Sequence, residues 1–278
     1  MRILPIGTNT LRETLHQPVV YVIVIGSVVL LAVAGQLPRF SLNIHDEIRS
    51  LKDLALGTAL ISGMLIAIFS AVHAITAEIQ NWTVITVLSK PVRRWEFVVG
   101  KFVGLAMMLG VVFAVLTVLY TLLVWLGMWT TLKEFERVYP ELMDQYWQEA
   151  AVVANQMWRG MLLCYLQVLV LASLGVAFCV RAPMVVSVMV FFMVFVLGHF
   201  VRPLSEMLRR GGSVAGTAGG WLVRHIIPDL DVLNVSQEVG RNVVIESRYI
   251  TQAVVFMLVY AAAFVMIAVL LFRRREVI

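Results

Sequence analysis

Residues 102–128 have the sequence FVGLAMMLGVVFAVLTVLYTLLVWLGM, which contains no charged side chain. A run of about 20 apolar residues is long enough to cross the hydrocarbon core of a bilayer as an α-helix. The helical form is required because the bilayer core offers no water to exposed backbone N–H and C=O groups. This stretch therefore predicts a transmembrane helix.

The rest of the chain shares this apolar character. Hydrophobic residues make up 60% of the sequence and charged residues only 14%, whereas charged residues make up about 25% of a soluble domain. The mean hydropathy is +0.89. The sequence therefore predicts one all-α membrane domain over residues 1–278, with six transmembrane helices. The predicted spans are Val19–Leu37, Leu54–Ala77, Phe102–Met128, Met161–Val180, Met184–Val201 and Ala253–Phe272.

The basic residues predict how the six spans are oriented. If both termini lie in the cytoplasm, the inner segments contain ten basic and four acidic residues, packed close to the span ends. Short positively charged segments stay on the cytoplasmic side of a membrane. We therefore expect a multi-pass protein of the cell membrane (inner or plasma membrane) with both termini in the cytoplasm. Its predicted anchors at the membrane interface are Trp95, Lys101, Arg273, Arg274 and Arg275.

Two segments predicted to lie on the outer side are long. The first, residues 129–160, has a helix-type composition, and the second covers residues 202–252. In the second segment, Gly212, Gly216 and Gly220 are spaced four residues apart. This spacing lets helices approach closely in a membrane, so the segment forms either a re-entrant hairpin or a flexible glycine-rich loop.

The sequence lacks the motifs of common catalytic and metal sites. The stretch VVGKF does not form a phosphate-binding loop, because Trp95 stands where its first glycine is needed and Phe102 where Ser or Thr would bind magnesium. Cys164 and Cys179 are fifteen positions apart on one predicted helix, about 20 Å from each other, which is too far for a disulfide. We expect two buried thiols, no bound cofactor or metal, and no catalysis by this chain.

The predicted spans contain no Asp, Glu, Lys or Arg. Ion-coupled carriers and pumps keep such residues inside the bilayer as relays and binding groups. His73 and His199 lie near span ends, and we expect each to be a neutral imidazole bonded to a neighbouring helix rather than a proton relay. An ion-coupled carrier or channel is one alternative function, and a membrane scaffold that recruits an outer protein through residues 202–252 is another.

Residues 77–101, AEIQNWTVITVLSKPVRRWEFVVGK, connect the second span to the third. Apolar side chains recur every third position between Ile79 and Leu88, which predicts a helix with one apolar stripe, and Pro91 ends it. A plain membrane anchor would explain the arginines that follow. It does not explain the polar residues Glu78, Asn81 and Thr83 before the proline.

This stretch resembles the cytoplasmic coupling segment of type 2 ABC transporter permeases. In that family, a glutamate leaving the second span is followed by a threonine, a KPV or SPV turn, a basic residue, and a GK pair entering the third span. Residues 1–18 also resemble the family's amphipathic entry helix. One departure is that Asn81 and Trp82 stand before Thr83, where a basic residue or glycine is expected. The matching residues are Glu78, Thr83, Leu88, Lys90, Pro91, Val92, Arg94, Phe97, Gly100 and Lys101.

The resemblance implies a permease subunit that forms a translocation pathway and binds a separate ATPase subunit, on which ATP is hydrolysed. It implies a homodimer or a pair with a related permease, an outer accessory protein as a further partner, and no nucleic acid. The chain's size and the LSKPVRRWEFVVGK run resemble the branch that serves maturation of a copper enzyme, nitrous oxide reductase. The expected ATPase-subunit interface within segment 78–101 consists of Glu78, Gln80, Asn81, Thr83, Lys90, Pro91, Arg93 and Arg94.

Overall fold

The computed structural model of the protein confirms an all-α membrane architecture. It describes residues 3–36, 44–77, 93–136, 143–210, 228–234, 239 and 246–273. Within these ranges there is no β-strand, and six helices are long and apolar enough to cross a membrane. The helices are α1 (Ile3–Leu15), α2 (Pro18–Gln36), α3 (Ile44–Ala71), α4 (Arg94–Glu136), α5 (Met143–Cys179), α6 (Met184–Arg210) and α7 (Ser247–Arg273).

Helices α2 to α7 correspond to the six predicted spans. Helix α3 continues into a π-helical turn, Val72–Ala77, and a short 3₁₀ helix, Leu230–Leu233, precedes α7. Two residues separate α1 from α2, and Pro18 is the first residue of α2. Proline suits this position because its fixed φ matches a helix and the N–H it lacks has no partner there.

Helices α3, α4 and α5 form the centre of the bundle. Gly63 of α3 lies against Phe113 of α4 and Val168 of α5, so the lack of a side chain lets the three helices approach closely. Helix α5 is mostly buried over its apolar part, Gln156–Cys179, whereas α2, α6 and α7 each expose an apolar face. Those faces are suited to contact lipid tails.

Several helices extend beyond the predicted spans. Helix α4 has 43 residues, which corresponds to about 65 Å, twice the roughly 30 Å of a hydrocarbon core. The predicted segment 129–160 is therefore helical in its described parts, as continuations of α4 and α5. Helix α6 likewise continues past Val201 and through Pro203 to Arg210.

The bundle has two distinct ends. Helix α1, the beginning of α4 and the end of α7 meet at one of them, which we call the α1 end. At the opposite end, Trp125 and Trp129 of α4 stack with ring centroids 6.2 Å apart. The ammonium group of Lys133 lies 3.8 Å from the Trp129 ring centroid. We call this the Trp129 end, and its aromatic rings are typical of a membrane interface.

The described parts of segment 202–252 pack against the Trp129 end. Leu230 lies against Gly198 of α6, and the Tyr249 hydroxyl donates to the Val232 carbonyl. The buried Lys52 side chain of α3 donates to the Val239 carbonyl at 3.1 Å. The glycine-spaced residues 212–220 lie outside the described ranges, so the re-entrant hairpin and the loop both remain predictions.

Candidate functional site

The predicted site residues are divided between described and undescribed parts of the chain. Glu78, Gln80, Asn81, Thr83, Lys90 and Pro91 lie outside the described residues, as do Arg274 and Arg275. The other predicted residues meet near the α1 end of the bundle. They are Arg93, Arg94, Trp95, Lys101 and Arg273.

The first turn of α4 presents an exposed basic and aromatic surface. The backbone N–H of Arg93 donates to Glu96 Oε2 at 3.1 Å, and the Glu96 N–H donates to the Arg93 carbonyl at 2.9 Å. A carboxylate at this position satisfies a free N–H and interacts favourably with the helix dipole. The turn therefore holds the exposed side chains of Arg93, Arg94 and Trp95 in a defined place.

Arg94 connects the beginning of α4 to the end of α7. Its Nη1 donates to the backbone carbonyl of Arg273 at 3.2 Å, so a cation interacts with the negative end of the α7 dipole. Next to this bond, toward the interior of the bundle, the rings of Phe97 and Phe272 stack with their centroids 5.6 Å apart. Two basic segments that are distant in sequence thus form one surface.

Helix α1 packs against α4 through residues with small side chains. A methyl group on Gly104 would lie 2.6 Å from Thr10 Cβ and 2.7 Å from the Gly7 carbonyl oxygen. A methyl group on Gly100 would lie 2.8 Å from Ile6 Cβ. Real side chains do not come this close, so the contact between these helices requires glycine at both positions of α4.

Threonine hydroxyls within this contact bond to their own helix. Thr10 donates to the Ile6 carbonyl at 3.0 Å, and Thr14 donates to the Thr10 carbonyl at 2.7 Å. Both threonines are fully buried. A buried hydroxyl without a partner is costly, and these bonds let α1 present a compact surface to α4.

Lys101 lies buried beneath α1. Its side chain is only 3% exposed, and its ammonium nitrogen lies 3.8 Å from Glu13 Oε2 of α1. The same nitrogen is 5.7 Å from the Phe97 ring centroid. A charge away from water requires such partners, so Lys101 links α1 to α4 electrostatically at the boundary of the coupling segment.

Cations dominate the exposed part of this end. The carboxylates of Glu13 and Glu96 are half-buried, and each contacts a group on α4. Such a surface can bind an acidic protein partner or anionic lipid headgroups. Among the described residues, no three His, Cys, Asp or Glu side chains are placed to hold a metal ion. The exposed cations of this surface, on or beside α1, α4 and α7, are Arg12, Arg93, Arg94 and Arg273. Arg181 is exposed at the same end, on the turn between α5 and α6.

The bundle interior matches two further expectations. His199 bonds to the neighbouring helix α5, with 3.0 Å between its Nε2 and the Nε2 of Gln167. Cys164 and Cys179 are buried and form no disulfide. His73 is exposed on the π-helical turn at the end of α3.

Sequence reasoning did not identify Glu13 or Phe272 as part of this end. The available signal was the face of α1 that carries Gly7, Thr10 and Thr14 at helical spacing. That face indicates that α1 packs on another helix, but it does not say on which one. Glu13 is next to this face and therefore reaches the same partner.

A comparison of the chain with models of known protein families finds no match, and a comparison with curated proteins also finds none.

Proposed function

We propose that this chain is the membrane-spanning permease subunit of an ABC transporter, working with a separate ATPase subunit. The observation that carries the proposal is the segment of residues 78–101, which resembles the coupling segment of that family and leads directly into α4. The basic surface at the beginning of α4 supports it, because it provides complementary charge for an acidic partner.

The contacts around this segment are suited to transmit movement. Residues 78–92 connect the π-helical turn of α3 with the first turn of α4, and α1 contacts both of these elements. Arg94 and Phe97 also join α4 to α7. A displacement of the segment by a partner would therefore move four helix ends together, as a rigid-body transition requires.

Coupling of this kind needs no catalytic side chain in the permease. It requires only that the ATPase contacts the permease differently in two states. The predicted spans contain no Asp, Glu, Lys or Arg that could couple transport to an ion gradient, which favours energy from another subunit. Two copies, or one copy with a related permease, would form the pathway.

In this proposal the α1 end faces the cytoplasm and the Trp129 end faces outward. Among the described residues, five exposed arginines lie at the α1 end, whereas the Trp129 end exposes Lys133 and Arg248 together with Glu136, Glu206 and Glu246. This difference in charge agrees with the positive-inside rule. An outer accessory protein would then contact the projecting ends of α4 and α5 or the segment 202–252.

Two substitutions in the coupling segment test the proposal. Glu78→Ala and Arg94→Glu should leave the protein inserted in the membrane. Each should reduce recovery of the ATPase subunit, because losing one partner of a charged contact costs about 2 kcal/mol or more, about thirtyfold in affinity. Complex recovery by affinity purification and ATP turnover of the complex provide the measurements.

Arg181→Glu is the matched control, because Arg181 is an exposed arginine at the same end but outside the segment. It should leave recovery and turnover near those of the unchanged protein. Normal recovery and turnover in both coupling variants would instead favour a simple membrane anchor. Purification without any ATPase subunit would favour the carrier, channel or scaffold functions.

A further inference from the structure

A crevice of about 400 Å³ lies between α4 and α5. Helix α4 lines it with Gly110, Phe113, Ala114 and Thr117, and α5 lines it with Trp158, Tyr165 and two aliphatic side chains between them. Both sets follow the i, i+3, i+4, i+7 spacing of one helix face. Gly110 and Ala114 contribute little side chain to this face, and a methyl group on Gly110 would lie 3.4 Å from the Tyr165 hydroxyl.

The polar groups in the lining are directed to the protein backbone. The Thr117 hydroxyl donates to the Phe113 carbonyl at 2.6 Å, and the Tyr165 hydroxyl donates to the Ala106 carbonyl at 3.1 Å. The rings of Phe113 and Tyr165 pack together with centroids 5.7 Å apart. With both hydroxyl hydrogens already engaged, the lining is suited to an apolar ligand.

The crevice opens within the depth of the bilayer. Its α4 residues lie in the middle of the apolar stretch Arg94–Thr130, and its α5 residues lie near the beginning of Gln156–Cys179. It therefore runs about 10 Å from the middle of the membrane toward the Trp129 end. The adjacent side chains Val111, Val115 and Val118 are exposed, so lipid has direct access to it.

The volume distinguishes among occupants. A cavity of about 150 Å³ holds benzene, so a crevice of about 400 Å³ has room for the roughly 10 Å of an acyl chain that would lie along it. A helix about 10 Å across needs roughly 800 Å³ for the same length. A helix from a second copy of the chain is therefore too large to enter the crevice and could only lie across its opening.

A cation lies at the end of the crevice nearest the membrane surface. Trp158 lines the crevice and is 42% exposed, and the Arg159 guanidinium lies 5.5 Å from its ring centroid. An arginine and a tryptophan at this depth suit the phosphate and glycerol region of a phospholipid.

We infer that this crevice binds one acyl chain of a phospholipid from the leaflet at the Trp129 end, with the lipid phosphate beside Arg159. The bound chain fills the gap beside Gly110 and Ala114 and so completes the packing of α4 on α5. This lipid site does not depend on the proposed transport function.

Photocrosslinking of the full-length protein tests the site directly. The protein is placed in nanodiscs of phosphatidylethanolamine that carries a diazirine on its acyl chain, and modified residues are mapped by mass spectrometry. We expect crosslinks concentrated on the lining residues of α4 and α5. Crosslinks spread evenly over the exposed faces of α2, α6 and α7, or none in the crevice, would overturn the inference.

Substitutions in the crevice provide a second measurement by native mass spectrometry. Ala114→Phe should abolish retention of a phospholipid after detergent extraction, because the ring fills the crevice. Arg159→Gln should lower retention about tenfold, as expected for the loss of a charge-assisted hydrogen bond. Ala262→Phe, on an exposed face of α7, is the control and should retain lipid normally. Equal retention in all three variants would overturn the inference.

Discussion

At the scale of single residues, His199 connects two helices through both nitrogens of its ring. Nδ1 lies 2.8 Å from the Phe195 carbonyl oxygen, which can only accept, so Nδ1 carries the hydrogen. Nε2 lies 3.0 Å from the side-chain amide of Gln167, which is fully buried. The imidazole thus joins α6 to α5.

Removing the side-chain amide of Gln167 should weaken the connection between α5 and α6. We expect Gln167→Leu to lower the free energy of unfolding in detergent by about 1 kcal/mol, the usual scale of an interhelical hydrogen bond in a membrane. The double variant Gln167→Leu/His199→Leu should lose less than the two single variants added together. The exposed Gln252→Leu on α7 is the control. Strict additivity in the double variant would contradict this interpretation.

Predictions about single residues were correct where the composition of the surrounding segment alone determines the outcome. Two cysteines in an apolar run were correctly expected to be buried and not joined by a disulfide. The pairing of Lys101 with Glu13 was not predicted, because it depends on which helix α1 packs against. A single sequence gives the faces of helices but not their partners.

At the scale of elements, the contact of α1 with α4 is the most specific packing at the α1 end. A methyl group placed on Gly7 would lie 3.4 Å from the Gly100 carbonyl oxygen and 3.5 Å from the Gly104 nitrogen of α4. The resemblance to type 2 ABC permeases implied an entry helix over residues 1–18. The structure shows that α1 packs against Gly100 and Gly104 of α4.

Gly104→Ala should loosen this contact. The added methyl would lie 2.6 Å from Thr10 Cβ and 2.7 Å from a backbone oxygen, so α1 must shift. We expect a loss of about 1–3 kcal/mol in stability, the usual cost of overpacking, and faster hydrogen exchange in α1. Gly57→Ala is the control, because a methyl there meets nothing within 4 Å, and alanine favours helix over glycine. Equal stability of the two variants would contradict the contact.

Helix ends and helix irregularities were predicted less well than spans. The predicted third span ended at Met128, whereas α4 continues to Glu136, because loss of hydrophobicity marks the edge of the membrane rather than the end of a helix. The π-helical turn Val72–Ala77 has no sequence signal of its own. It depends on how α3 packs against its neighbours.

At the scale of the whole molecule, the six spans follow from hydrophobicity alone. Each predicted span falls on one of the helices α2 to α7, with its ends within a few residues of, or inside, the helix. Hydrophobicity works here because long apolar runs have a direct free-energy preference for the bilayer. The arrangement of the helices depends on side-chain packing, which span prediction does not include.

The orientation of the molecule in the membrane can be tested by cysteine labelling, with almost no labelling of the native cysteines. The chain has two cysteines, and both are buried within α5, so a membrane-impermeant thiol reagent should react only with cysteines that are introduced. Such single cysteines can be placed at positions on either proposed side of the membrane. The proposed sides differ in charge, because among the described residues the exposed cations outnumber the exposed carboxylates at the α1 end but not at the Trp129 end.

Cysteines at positions 145 and 216, which replace Gln145 and Gly216, should react with this reagent in intact cells. Cysteines that replace Arg94 and Arg274 should react only after the membrane is permeabilised, because the α1 end is proposed to face the cytoplasm. Arg94 is exposed, so its protection in intact cells would reflect the membrane and not burial in the protein. The reverse pattern would place the basic surface outside, where no ATPase subunit can reach it, and would contradict both the orientation and the proposed function.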